Sequence, residues 1–369
     1  MTVIGVLGAG QLGRMLALAG YPLGLRFVFY DPSADAPAGH LADLRSAPWD
    51  DQDALAAFAA DVDLVTYEFE NVPITVATRL AERVPVHPSP RALEVAQDRL
   101  KEKHLFRDLG FGTAPFAAVE TRDDLARAVE SLGLPAVLKT RTEGYDGKGQ
   151  RVLRRASDLD PAFASLGGRP LILEGFVPFT RELSLLAARG RNGDTAFWPL
   201  VENVHRDGIL RLSVAPAPVD DPALAESAMT LAGRALEALD YVGVLAIELF
   251  EHQGRLLANE MAPRVHNSGH WTIEGARTSQ FENHLRALLG LPLGDTRVNG
   301  VAAMVNLIGE TPDPASLLEI EGSHLHLYGK PARPGRKLGH VTLVEPDRAA
   351  LQAALARVAS VVDEPSLSR

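Results

Sequence analysis

The chain opens on a strand, a glycine turn, a helix and a second strand, an order that restricts its fold more than any other feature. Thr2 to Leu7 reads as a strand and Gly8-Ala9-Gly10-Gln11-Leu12-Gly13 as the turn. An apolar helix runs through Ala19, and Arg26 to Asp31 is the next strand. A helix around Asp51 to Ala60 and a strand from Leu64 to Phe69 extend this β-α-β unit. Residues 1–100 are therefore expected to form a Rossmann-like parallel sheet with helices on its faces.

Taken alone, Gly8-x-Gly10-x-x-Gly13 with Asp31 ending the next strand fits a dinucleotide-binding fingerprint, and with it a nicotinamide-dependent oxidoreductase. The same turn serves any β-α-β unit whose helix N-terminus faces an anion, and nothing downstream reads as a hydride-transfer site. A substrate-facing glycine turn is the preferred reading.

From Ser89 to Leu109 the pattern is helical, with Ser89 as cap, Pro90 at the first position and Gly110 and Gly112 closing it. A domain boundary is placed here. Residues 101–295 then alternate strands (Ala136 to Thr140, Leu171 to Val177, Leu183 to Arg189, Val244 to Phe250, Leu256 to Ala262) in an α+β, mostly antiparallel pattern, with a small lid over about 113–180. Residues 296–369 hold short strands, a basic loop and a helix from Pro346 to about Val362, read as a small β-rich cap.

Composition narrows the chemistry. The chain has no cysteine, so a metal must sit on oxygen or imidazole. A net charge of −10 argues against a nucleic-acid partner, which needs clustered cations. No run of eighteen apolar residues occurs without a charge, and the N-terminus enters a strand at once. A cytoplasmic, membrane-free protein is expected.

Lys139 ends an apolar strand and is followed by Glu143-Gly144-Tyr145-Asp146-Gly147-Lys148-Gly149-Gln150. The glycines free the backbone to fold over phosphate oxygens while Lys139 and Lys148 supply charge; an exposed glycine hairpin is the bland alternative. Two glutamates favour the phosphate reading. If the turn between their strands is centred near Gly254, Glu248 falls roughly opposite Glu260. Facing carboxylates between apolar neighbours are costly unless a cation neutralises them, and oxygen ligands select Mg²⁺ shared with nucleotide phosphates. Glu174 to Val177, at a strand end, has the form that offers backbone groups to a base edge, and Glu182 is placed to accept ribose hydroxyls.

Several strings point to one family: Gly10-Gln11-Leu12-Gly13-Arg14-Met15, Gln97-Asp98-Arg99-Leu100, Tyr145 to Gln150, Asn259 to Thr272, and Thr278-Ser279-Gln280-Phe281-Glu282. In order, and through to His340-Val341-Thr342, the chain resembles the 5-(carboxyamino)imidazole ribonucleotide synthases. That resemblance implies a three-part ATP-grasp architecture. It also implies N-carboxylation of 5-aminoimidazole ribonucleotide with ATP and bicarbonate, through carboxyphosphate, in purine biosynthesis, by a homodimer.

By the same resemblance, Arg99, Lys139, Gly144 to Gln150, Glu174, Gly175, Phe176, Val177, Glu182 and His205 would hold ATP, with Asn259 beside the Mg²⁺ ligands Glu248 and Glu260. Lys330 and Arg336 would grip the ribonucleotide phosphate, with Gln11, Tyr145 and either Glu68 or Glu70 toward the rest of that substrate. Arg264, His266 and Asn267, with Asp146 and Lys148 from the flap, would hold bicarbonate and then carboxyphosphate. Ala9 stands where the family more often has glycine, which is tolerable if its φ is negative. A formate-using glycinamide ribonucleotide transformylase is the nearest rival, but would carry Glu in place of Gln11. A silent nucleotide-binding regulator is disfavoured by intact Glu248, Glu260, Lys139 and Arg264.

Overall fold

The computed structural model describes residues 1–144, 149–219, 221–362 and 364, and the described strands form three sheets. The first is parallel: β1 (Val3–Leu7), β2 (Arg26–Tyr30), β3 (Asp43–Arg45) and β4 (Leu64–Tyr67), in the order β3-β2-β1-β4. Its central strands are near-continuous apolar runs because helices cover both faces. Gly5 allows one of them close, since a Cβ there would sit 2.7 Å from the Phe58 ring on the helix Gln52–Ala60.

The single helix expected over Ser89 to Leu109 is two. Ser89 caps Pro90–Gln97 as anticipated, but Asp98 is extended at φ −119°, ψ 106°. Its carboxylate accepts from Leu100 and Lys101 N–H and starts a new helix, Arg99–Asp108. An aspartate that can cap ends one helix and begins the next.

A small antiparallel sheet follows: β5 (Phe116–Val119), β6 (Ala136–Thr140), β7 (Gln150–Leu153) and β8 (Leu171–Gly175), in the order β5-β8-β6-β7. The remaining strands are β9 (Arg181–Arg189), β10 (Thr195–Phe197), β11 (Val201–Arg206), β12 (Ile209–Ala215), β13 (Gly243–His252), β14 (Arg255–Ala262), β15 (Val301–Ile308), β16 (Ser323–Leu327) and β17 (Lys337–Glu345). They form one antiparallel sheet, ordered β14-β13-β9-β11-β12-β15-β17-β16, with β10 beside β9. The C-terminal strands thus continue the central sheet through the pairing of β12 with β15. The helix Arg348–Val362 covers them with Leu351, Leu355 and Val358.

The helix Gln280–Leu289 joins the parallel sheet to the large one. It buries Phe281, Leu285 and Leu288 against Met15, Leu16 and Phe27, each large apolar side chain contributing roughly 1.5–3 kcal/mol. His284 on this helix is a polar bolt. Its Nδ1 accepts Val244 N–H at 3.0 Å, so Nε2 carries the proton and donates to Thr66 Oγ1 at 2.9 Å. Among the described residues no helix is long and apolar enough to cross a membrane.

Candidate active site

The hairpin of β13 and β14 carries the acidic pair. Gln253 and Gly254, both at positive φ (51° and 72°), make the tight turn, and the resulting register runs from His252 opposite Arg255 to Leu249 opposite Ala258. Leu245, Ile247 and Leu249 pack on one face of the sheet, which leaves Glu248 on the other. A bulge beyond the pair of Leu249 and Ala258 makes Asn259 the extra residue and brings Glu248 opposite Glu260.

Burial pushes both carboxyls up. For Glu260 this is outweighed by Arg99, whose Nη1 donates to Oε2 at 2.7 Å, and its pKa falls. Glu248, buried and facing the Glu260 charge, is pushed up to about 7. Asn259 Oδ1 is also buried, with no hydrogen-bond partner among the described residues. Two carboxylates and an amide oxygen, one of the acids undercompensated, suit a hard divalent cation such as Mg²⁺.

Lys139 leaves β6 on the cleft side, where its Nζ donates to Glu174 Oε2 at 3.0 Å. Buried Lys103 reaches the same oxygen at 3.4 Å. Burial would raise Glu174, but the two lysines bring it down to about 2. Arg99 also donates to Gly144 O at 3.1 Å, tying its helix to the segment that follows β6. Gly149, just before β7, is at φ +70°, and a Cβ there would lie 2.7 Å from Thr140 Oγ1. Tyr145, Asp146, Gly147 and Lys148 lie outside the described residues. Further along, His205 Nδ1 lies 2.9 Å from Glu182 Oε2, a carboxylate that raises the imidazole pKa against the effect of burial.

The glycine turn, which also borders the cleft, is filled by the chain itself. Glu68 accepts Gly10 N–H at 2.7 Å and Gly13 N–H at 3.3 Å, while Asp31 accepts Ala9 N–H at 3.0 Å. Ala9 is not among the residues at positive φ, so its methyl is tolerated. Glu70 instead pairs with buried Arg264, whose guanidinium burial lowers to about 10. The two glutamates left open by the sequence therefore differ: Glu68 holds the turn, and Glu70 meets a cleft cation. Lys330 hydrogen-bonds Gln11, and Arg336 donates to Pro331 O at 3.2 Å within the loop that joins β16 to β17.

Arg264, His266 and Asn267 follow β14 directly. Gln280 clamps the His266 peptide from both sides: its Oε1 takes His266 N–H at 2.8 Å and its Nε2 donates to His266 O at 2.7 Å. Asn267 and Asn306 exchange amide hydrogen bonds at 3.1 and 2.7 Å. His266 Nε2 lies 3.4 Å from Glu248 Oε1, and burial, with Arg264 nearby, holds the ring well below the usual histidine pKa.

Apart from Gly149, every described residue expected at the site lines one cavity of about 1060 Å³. Gln11 and Glu70 reach it from the parallel sheet, Lys139 and Gly175 from the small sheet, Glu248 and Glu260 from the hairpin, and Lys330 and Arg336 from the C-terminal loop.

Sequence reasoning missed Glu102 and Lys103. Glu102 Oε1 accepts Met261 N–H at 2.6 Å, and Lys103 Nζ donates to Asn259 O at 2.8 Å, so both brace the strand that bears Glu260. Burial and the Glu260 charge raise Glu102 to about 8. The available signal was helical spacing, since Arg99, Glu102, Lys103 and buried Phe106 share one face. Phe179, stacked on Phe250 with ring centroids 4.8 Å apart, also lines the cleft unforeseen.

The chain is similar to known proteins along nearly its whole length. Family models match in three consecutive stretches: a ribonucleotide synthetase preATP-grasp domain over residues 1–97, an ATP-grasp domain over 104–281, and a phosphoribosylaminoimidazole carboxylase C-terminal domain over 302–354. The N5-carboxyaminoimidazole ribonucleotide synthase of Pseudomonas aeruginosa is 56% identical over 98% of this chain and 99% of its own. The crystal structure of N5-carboxyaminoimidazole ribonucleotide synthetase from Thermus thermophilus superposes with a TM-score of 0.94 at 59% identity, covering 98% of this chain and 99% of that one. That of N5-carboxyaminoimidazole synthase from Aspergillus clavatus, in complex with ADP and 5-aminoimidazole ribonucleotide, gives 0.91 at 32% identity over 98% of each chain.

Proposed function

The chain belongs to the N5-carboxyaminoimidazole ribonucleotide synthase family of ATP-grasp enzymes, and we propose that its cleft holds three adjoining stations, for ATP, bicarbonate and 5-aminoimidazole ribonucleotide. The protein is an ATP-dependent ligase that N-carboxylates 5-aminoimidazole ribonucleotide in purine biosynthesis. The observation that carries the division into stations is the common cavity, which is lined by Lys139 of the small sheet, the Glu248 and Glu260 pair of the hairpin and Lys330 of the C-terminal loop.

Lys139, Arg99, Gly175 to Val177, Glu182 and His205 would grip ATP, and Glu248, Glu260 and Asn259 would hold Mg²⁺. Bound there, the ion supplies charge neutralisation to the nucleotide phosphates. Arg264, His266 and Asn267 would hold bicarbonate as one of its oxygens bonds to the γ-phosphorus. The bond from that phosphorus to the bridging oxygen breaks as ADP departs. Carboxyphosphate results, and the amine then meets it, or the carbon dioxide it releases, forming the N–C bond, losing a proton and leaving phosphate. Carboxyphosphate is labile in water, so the flap that carries Tyr145, Asp146, Gly147 and Lys148 would close over it.

Lys330 and Arg336 would grip the ribonucleotide phosphate, with Gln11 and Glu70 toward the rest of the substrate. A homodimer and a cytoplasmic setting belong to the same reading. The test is ADP release with ATP, Mg²⁺ and bicarbonate, with and without 5-aminoimidazole ribonucleotide, and with glycinamide ribonucleotide plus formate as control. Release that responds to the formate pair alone would sink the proposal.

A further inference from the structure

A buried chain of hydrogen bonds runs through the large sheet and ends on His266. Ser213 Oγ donates to Asn203 Oδ1 at 2.7 Å, and Asn203 Nδ2 donates to Ser184 Oγ at 2.9 Å. Ser184 Oγ donates to Ser268 Oγ at 2.8 Å, and Ser268 Oγ lies 2.9 Å from His266 Nδ1. Ser184, Ser213 and Ser268 are fully buried and Asn203 nearly so. None of these four residues reaches the cleft, so substrate binding does not account for them.

The direction of the chain follows from one backbone group. Ser268 N–H also points at His266 Nδ1, at 3.3 Å, and an amide can only donate. A proton on Nδ1 would set two donors against each other, so Nδ1 is the acceptor and the neutral ring carries its proton on Nε2. Ser268 then gives its hydroxyl proton to Nδ1 and receives that of Ser184. Ser184 in turn receives from Asn203, whose carbonyl oxygen is occupied by Ser213. Ser184 and Ser268 each make one donation and one acceptance, and Ser213 begins the path as a donor. On the ring's other side, Nε2 faces the cleft beside Glu248.

We propose that Ser268, Ser184, Asn203 and Ser213 are positioning residues that lock His266 as an Nε2–H donor toward the anion held by Arg264 and Asn267. This rests on the reading above that these residues hold bicarbonate and carboxyphosphate. In this role His266 gives a hydrogen bond to a developing oxyanion and does not abstract a proton. The preorganisation comes from a polar path inside the sheet. Gln280, from a motif prominent in the sequence, fixes the backbone of the same residue.

The test begins on the full-length wild-type protein, without nucleotide and then with Mg-ADP. Long-range ¹⁵N–¹H correlation of the imidazoles, with the His266 signals assigned from His266→Gln, should show the proton on Nε2. A proton on Nδ1 overturns the proposal whatever the activity. Ser184→Ala and Ser268→Ala should lower kcat about tenfold with the KM for ATP nearly unchanged, and Ser184→Thr, which keeps the oxygen, should recover most of the loss. Wild-type kcat in both alanine variants, or equal losses in Ser184→Ala and Ser184→Thr with intact folds, also overturns it. Failure of the functional reading would show separately, as wild-type protein that releases no ADP in response to 5-aminoimidazole ribonucleotide.

Discussion

Glu68 Oε1 accepts the Gly10 N–H at 2.7 Å and thereby fills the turn that, in a dinucleotide-binding protein, would receive a pyrophosphate. The glycines have a local reason to be there, because a Cβ at either Gly8 or Gly10 would lie 2.8 Å from the same carboxylate oxygen. Glu68→Ala leaves two amides without their acceptor and should lower unfolding stability by about 1–3 kcal/mol. Urea midpoints measure this, and calorimetry on the wild type should show no heat with NAD. An unchanged midpoint would mean that the turn is held by something other than Glu68.

Glu260→Gln keeps the size of the side chain but removes its charge, both from Arg99 and from the cation site. Turnover should fall at least a hundredfold, by roughly 3 kcal/mol or more of transition-state stabilisation, with the fold retained. ADP release titrated against Mg²⁺ is the readout. Near-normal activity at ordinary Mg²⁺ would show that this carboxylate is no ligand.

Arg336→Ala should raise the KM for 5-aminoimidazole ribonucleotide roughly tenfold to a hundredfold, as expected for a lost charge-assisted contact to phosphate, and leave the KM for ATP nearly unchanged. Lys330→Ala should act in the same direction. Steady-state kinetics in each substrate separately decides the matter: an equal rise in both constants would place Arg336 at the nucleotide.

His284 gives the fold an acid-sensitive joint. Burial depresses its pKa from 6.5 to about 3, so between those values the unfolded chain binds a proton that the folded chain does not. Stability therefore rises with pH across that window and is complete above it; at pH 5 this group alone costs about 2 kcal/mol. Denaturant titrations should show His284→Gln less stable than wild type at pH 7.5 but with a shallower loss toward pH 5. Parallel pH profiles for the two proteins would count against His284 as a source of the dependence.

The legible parts of the site are those that local rules determine. A two-residue turn at Gln253 and Gly254 makes the hairpin of the two acidic strands legible, but that turn alone would set Glu248 opposite Asn259; the bulge that brings Glu260 there instead is not written in the spacing. Lys139 is legible because it ends an apolar strand before a glycine-rich loop. Glu102 and Lys103 are not, because charged residues are usually exposed and only the break at Asp98 turns that helix face inward. Pairing of β12 with β15 is hidden for another reason: alternation marks a strand but does not name its neighbour in the sheet. The Gln280 clamp on His266 likewise joins two elements whose approach is set by the tertiary fold.

The unbroken run from β14 through β16 has a mechanical consequence. The acidic pair sits near one end of that run and the loop bearing Lys330 and Arg336 near the other, so changing their separation would mean shearing rows of strand hydrogen bonds. They form the fixed jaw of a vice. The sheet of β5 to β8 is not paired into that run, and it carries Lys139 and Glu174. Were the small jaw to move alone, the links from Arg99 to Gly144 and from Lys103 to Glu174 would carry the load, while the spacing between the acidic pair and the loop of Lys330 and Arg336 stayed constant.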